Sequence, residues 1–173
     1  MPRRLALGAL ALSLGLACAT PSSPKPGDGK GRQARMSLER FAGGTYELAA
    51  QHGDVIVVNF FATWCLPCID ELPMLQRLQD RYRRDGLQVV AVAMDVEGRV
   101  VVTPFLEVMP LNFPVLLADE RVYEGRTPFG PITTLPTTAV VGRDGIIVGA
   151  HVGILEEQPT EALLVQLLAR DGG

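Results

Sequence analysis

The chain changes period abruptly between Thr63 and Pro67, and that change limits the folds open to it more than any other feature. Before it, Val55 to Phe61 is an almost unbroken apolar run rich in β-branched residues, which suits a strand covered on both faces. After it, Ile69, Leu72, Leu75, Leu78 and Tyr82 recur at intervals of three and four, the mark of a helix with one buried stripe. A covered strand that runs directly into an amphipathic helix requires a sheet with helices packed on it. At the junction stands Trp64-Cys65-Leu66-Pro67-Cys68.

The rest of the chain reads in the same terms. Asp70 and Glu71 early in the helix, and Arg81, Arg83 and Arg84 late, suit its dipole. Pro73 predicts a kink within it, and Asp85-Gly86 closes it. Tyr46 to Leu48 suggests a short strand and Leu87 to Ala93 a second covered one. Thr103 to Met109 is predicted as a short helix with Pro104 in its first turn. Phe113 to Leu117 follows as a strand, and Asp119 to Tyr123 as a helical turn. Thr137 to Val141 and Ile146 to Ala150 flank Gly142-Arg143-Asp144-Gly145, an antiparallel hairpin. Thr160 is placed to cap a last helix that buries Leu163, Leu164, Leu167 and Leu168. The expectation is an α/β domain whose mixed central sheet carries helices on both faces.

A length of 173 residues suits one domain plus terminal segments. A net charge of -3, with no basic stripe, excludes a nucleic-acid backbone as partner. Arg3-Arg4 precedes thirteen uncharged, mostly apolar residues, Leu5 to Ala17. As a helix these would span roughly 20 Å, short of the 30 Å or so of a bilayer core, so residues 1–19 are read as an export signal. Ala17-Cys18-Ala19 fits peptidase cleavage after Ala19, which leaves a soluble periplasmic protein. Leu14 to Cys18 also resembles the lipobox of bacterial lipoproteins, in which Cys18 becomes the lipidated first residue. Lipidation of Cys18, giving a membrane-anchored periplasmic protein, is the expectation carried forward. Residues 20–35, with their prolines, glycines, serines and lysines, read as a flexible spacer. The domain is assigned to residues 36–170, with a fraying end after it.

Two cysteines separated by two residues can bind a metal, staple the chain or exchange electrons. Structural zinc needs four ligands, but Cys18 lies in the export segment and His52 and His151 are isolated, so no metal is expected. A staple over so small a loop would constrain little of the unfolded chain. A thiolate in the first turn of a helix, by contrast, is stabilised by unpaired N–H groups and the positive dipole end. Cys65 is therefore assigned as the outer, attacking thiol and Cys68 as the covered, resolving one. The Cys65–Cys68 redox disulfide replaces any separate cofactor. Glu71 shares a helix face with Cys68, Leu72 and Leu75. A partly desolvated carboxyl there would exchange a proton with the thiols; the alternative is an acid serving only the helix terminus, a role that suits Asp70 better. Trp64 is expected to shelter the disulfide and offer a partner an apolar contact. Asp95 and Glu97 read as a solvated loop.

Val57 to Cys68 resembles the active-site segment of thioredoxin-fold proteins. The continuation Ile69-Asp70-Glu71-Leu72-Pro73 is similar, more narrowly, to the TlpA/ResA group. So are Asn112-Phe113-Pro114-Val115, Leu135-Pro136-Thr137-Thr138 and the Asp144-Gly145 hairpin. The resemblance spans about residues 46 to 170. It implies a thioredoxin-like fold with an inserted segment around Asp95 to Leu117, and thiol-disulfide exchange outside the cytoplasm. It also implies a cis-proline at Pro136 facing the cysteines. Leu135 would then line the client site, with Trp64, Leu66 and Pro67 across from it. Implied partners are oxidised exported proteins such as apocytochrome c, and a membrane thiol reductase as electron donor. An oxidant or isomerase using the same two thiols is the alternative, and a non-enzymatic binding module a more distant one. Departures from the pattern are Phe61 where many relatives carry tryptophan, Asn59 where cytosolic thioredoxins carry a buried aspartate, and an extra residue in Thr127 to Leu135.

Overall fold

The computed structural model describes residues 31–51 and 53–170. The export segment with Cys18, the spacer up to residue 30, His52 and the last three residues lie outside them. Seven strands form one sheet: β1 (Ser37–Arg40), β2 (Thr45–Glu47), β3 (Val55–Phe61), β4 (Leu87–Ala93), β5 (Val115–Leu117), β6 (Thr137–Val141) and β7 (Ile147–Val152), in the order β2-β1-β5-β4-β3-β6-β7. The helices are α1 (Leu66–Tyr82), α2 (Arg99–Val108), α3 (Glu120–Tyr123) and α4 (Glu157–Leu168). β3, β4 and β5 are parallel, and every other pairing is antiparallel. The sheet is mixed, as expected.

Strand period divides the core into two layers. Val55, Val57 and Phe61 of β3 pack with Leu72, Leu75 and Leu78 of α1, Val102 of α2, and Leu164 and Leu167 of α4. Ile56, Val58 and Phe60 face the other way, toward Leu38, Tyr46, Leu48, Leu116 and Val122. Among the described residues the three long helices thus share one face, while the opposite face carries the four-residue α3 and the short 3-10 turn Leu48–Ala50. The expectation of helices on both faces holds in that uneven form.

Several expectations are corrected. β1 was not anticipated, because Leu38 is the only one of its four residues that is buried. α2 begins at Arg99 rather than Thr103, which puts Pro104 inside the helix instead of in its first turn. Arg99 is held by the carbonyls of Phe41 and Arg40 and by Glu39, so tertiary partners extend the helix backwards. α4 begins at Glu157, so Thr160 is an interior residue and not a cap. Glu157 in that first turn and Glu161 one turn on pair with Arg77 and Arg81 of α1. This pairing rotates α4 so that Leu163 is 39% exposed, not buried. α1 runs unbroken through Pro73.

The chain also packs earlier than Met36. The Arg32 carbonyl accepts from Ile147 N, Ala34 N donates to the Gly145 carbonyl, and Gln33 bridges Ile146. Ala34 is buried in the second layer of the core. Residues 32–35 therefore form a strap on the β6–β7 hairpin. Nearby, Arg143 donates to the carbonyls of Gly53, Asp85 and Leu168 and gathers three chain ends at one pole of the sheet. Gly86 has φ 88°, and a Cβ there would stand 2.6 Å from the Arg143 guanidinium. Glycine is required at that turn on both counts.

Candidate active site

β3 ends at Phe61 and α1 begins at Leu66, so the cysteines sit at the opposite pole from Arg143. Cys65 is the residue before the helix, with extended backbone, and Pro67 occupies an early position whose N–H is not needed. Cys65 and Cys68 are joined in a disulfide with their Cα atoms 5.3 Å apart. Cys65 retains 6% exposure and Cys68 none, which matches the assignment of outer and covered thiols.

The antiparallel β6 brings its first residues to the same pole, since Thr137 pairs with Phe60. Pro136 precedes it, buried, and the Leu135–Pro136 peptide bond is cis. Leu135 is half-buried and touches both core layers. Trp64 is 69% exposed and Leu66 72% exposed, and Pro67 is also exposed. Trp64 therefore presents its ring outward, which fits contact with a partner, whereas shelter of the disulfide is not what so open a ring provides. In the longer loop before Leu135, Phe129 meets Phe60 edge-on at 5.7 Å.

Glu71 is not a surface acid. It is 3% exposed, one turn beyond Cys68, and receives two hydrogen bonds: Asn59 Nδ2 donates to Oε1 at 2.6 Å and Leu155 N donates to Oε2 at 3.1 Å. Burial pushes its carboxyl above the ordinary value of 4.5; the two donors and the nearby His151 act against that rise without cancelling it. Asn59 is on the third of β3's odd positions and so points at the α1 face. Its Nδ2 also donates to Thr138 Oγ1 at 2.9 Å. Asn59 is the register partner of Thr138, and Thr138 of His151. One polar row thus crosses β3, β6 and β7 beneath Glu71.

A second acid at this pole corrects the sequence reading. Asp95, expected in a solvated loop after β4, is 2% exposed. Thr63 N donates to its two oxygens at 3.0 and 3.2 Å, and Thr63 Oγ1 donates at 2.6 Å. The Asp95 carbonyl accepts from the Tyr123 hydroxyl and from Gly98 N. Asp95 thereby clasps the residue before Trp64 to the start of the inserted segment. The pairing of Phe61 with Ala93 puts the two loops side by side; nothing local in the sequence signals it.

A mixed sheet whose central strand leads into a helix-mouth Cys-x-x-Cys disulfide, with a cis-proline opening the neighbouring strand, defines a thioredoxin-fold thiol-disulfide oxidoreductase. The redox disulfide is its functional centre. The chain belongs to the AhpC/TSA family, whose model matches residues 31–150. It is 31% identical over 135 residues to the thiol-disulfide oxidoreductase ResA of Halalkalibacterium halodurans, covering 78% of this chain and 74% of that one. It is 31% identical over 148 residues to the thioredoxin-like protein YneN of Bacillus subtilis, covering 84% of each. Among solved structures, the thiol:disulfide interchange protein, a thioredoxin family protein, of Chlorobium tepidum aligns with a TM-score of 0.71 at 25% identity, over 83% of this chain and all of that one.

Proposed function

We propose that the protein reduces disulfides in exported proteins, apocytochrome c among them, in the periplasm. The observation that carries this reading is the unequal burial of the two sulfurs, with a buried carboxyl one turn beyond the inner one. In the reduced enzyme, Cys65 thiolate attacks one sulfur of the client disulfide. That S–S bond breaks, the departing client sulfur takes a proton, and a mixed disulfide remains. Glu71 accepts the Cys68 proton as the Cys68 sulfur attacks Cys65, which releases the second client thiol. The enzyme supplies two electrons and is left in the disulfide form described above. A membrane thiol reductase restores the dithiol. Exposed Trp64, Leu66 and Pro67 on one side, and Leu135 and Pro136 on the other, hold an extended client segment.

Equilibration with glutathione tests the direction. A potential well below that of the glutathione pool supports a reductant, and one near -120 mV, typical of strong oxidants, overturns it in favour of an oxidant. The order of the thiols is tested with Cys68→Ser, which should accumulate a client adduct on non-reducing gels that dithiothreitol removes. Formation of the adduct with Cys65→Ser instead would reverse the roles.

The proposed location is the periplasm, with the mature chain beginning at a lipidated Cys18. The grounds are the basic and apolar start of the sequence and the cysteine at its end. Intact mass of protein purified from its native envelope decides the matter. An unmodified terminus at Thr20 would leave a soluble periplasmic enzyme.

A further inference from the structure

The amide of Asn59 has one buried atom without a partner, its Oδ1. Both of its N–H groups are spent, on Glu71 and on Thr138. An unpaired buried acceptor is costly, and here it stands on the side chain that touches the proposed proton carrier. Glu71 in its present arrangement receives only donors, from Asn59 Nδ2 and Leu155 N. That suits a carboxylate. A protonated Glu71 needs an acceptor instead.

The orphaned oxygen supplies one. A half-turn of the Asn59 amide exchanges Oδ1 and Nδ2. Oδ1 then accepts the Glu71 proton and the Thr138 hydroxyl, which can donate as readily as accept. Leu155 N continues to donate to the other Glu71 oxygen. Each arrangement makes the same number of hydrogen bonds; the first leaves the amide oxygen unpaired and the second leaves the NH2. We infer that Asn59 is a positioning residue whose amide turns over with the charge of Glu71, so that the buried acid gains and loses a proton without losing a hydrogen bond. A buried aspartate at position 59 could not do this. It would place a second charge at 2.6 Å and make the two acids share one proton.

Among the described residues the groups facing Glu71 are few. Cys68 and Cys65 lie on its own helix side, Asn59 and Thr138 are neutral, and His151 of β7 favours the charged carboxyl. His151 Nε2 lies 3.2 Å from the Ile154 carbonyl, which fixes the ring at the exposed end of the polar row.

The inference rests on Glu71 as the proton carrier, so the test reads Glu71 and the amide separately. In the full-length oxidised protein, the Glu71 carboxyl carbon and the Asn59 side-chain amide are followed by NMR against pH. The two should titrate with one midpoint. Asn59→Leu should move the Glu71 midpoint upward by about one to two pH units, the loss of one hydrogen bond to a charged group. Asn59→Asp, an isosteric change suited to the same site, should give two coupled steps, the upper one above the wild-type midpoint. In the reduced protein, Asn59→Leu should shift the pH profile of thiol exchange, and it should leave the rate within about twofold in a Glu71→Gln background. An Asn59 amide resonance that stays constant through the Glu71 titration overturns the inference. So does an equal loss of rate from Asn59→Leu in both backgrounds, which marks a merely structural residue. If Glu71→Gln by itself leaves thiol titration and exchange unchanged, the proton-carrier reading fails, whereas the coupled NMR midpoints still report on the amide.

Discussion

Asp95 and Glu71 are buried to nearly the same degree, 2% and 3% exposed, yet the groups around them differ in kind. Asp95 receives all three of its side-chain hydrogen bonds from one residue, Thr63, two of them from a backbone N–H that can only donate. Glu71 receives one bond from a backbone N–H and one from an amide that is able to reverse. The first arrangement ties a carboxyl to the backbone N–H of Thr63 and holds the loop that carries Trp64 and Cys65. The second tolerates either charge state. Burial alone therefore does not separate a structural acid from a chemical one; the reversibility of its partners does.

Removing the clasp should have the largest effect. Asp95→Ala leaves the Thr63 N–H without a partner and should cost about 2–3 kcal/mol, read as a lower urea midpoint. Thiol exchange should slow by a similar factor at every pH. A slowing confined to one limb of the pH profile would place Asp95 in the chemistry and erase the contrast with Glu71.

Glu71→Gln is expected to act through pH instead. In wild type the folded state holds the Glu71 proton above 4.5, where the unfolded chain releases it. Stability therefore falls as pH rises from 4.5 through the raised native value. Glutamine lacks that slope. Urea midpoints of the oxidised proteins should diverge in favour of the variant across this window and run parallel above it. Parallel midpoints throughout would mean that Glu71 is charged at little cost and would erase the contrast.

Thr63→Val removes one of the three bonds to Asp95 and keeps the backbone donor, so a loss of about 1 kcal/mol is expected, with no change in the pH profile. The smallest change in stability belongs to Trp64→Ala. A side chain so exposed should contribute within about 0.5 kcal/mol, measured by urea unfolding, while exchange with a protein client slows more than exchange with glutathione. Equal slowing for both would assign Trp64 to the cysteine loop rather than to client contact.

Much of this was legible in the sequence where a single segment carried its own signal. The bounds of β3, β4 and β6 follow from continuous β-branched runs that no solvent face interrupts. The cysteine pair and Glu71 were readable because three-residue spacing on one helix is local geometry. Asp95 was not, because its partner lies 32 residues away and only the alignment of Phe61 with Ala93 joins them. The row Asn59–Thr138–His151 was hidden for the same reason: it exists only once the strand register is set. α2 and α4 were misplaced at their starts because ion pairs to other elements, not their own apolar pattern, determine where they begin.

The strap at residues 32–35 would shorten the leash that the proposed lipid on Cys18 provides. With lipid on Cys18, a free spacer up to Met36 would allow the domain a reach of about 60 Å at full extension, counted at 3.3–3.6 Å per residue. Because Arg32 is already bonded to the β6–β7 hairpin, the reach falls to about 50 Å. The point of attachment also becomes the pole gathered by Arg143, and not the one that bears the cysteines. An enzyme tethered in the proposed way would sample a shallow shell of space above its membrane, and its clients would have to meet it there. Lengthening the spacer before Arg32 widens that shell, whereas loosening the strap would do the same only by exposing Ala34.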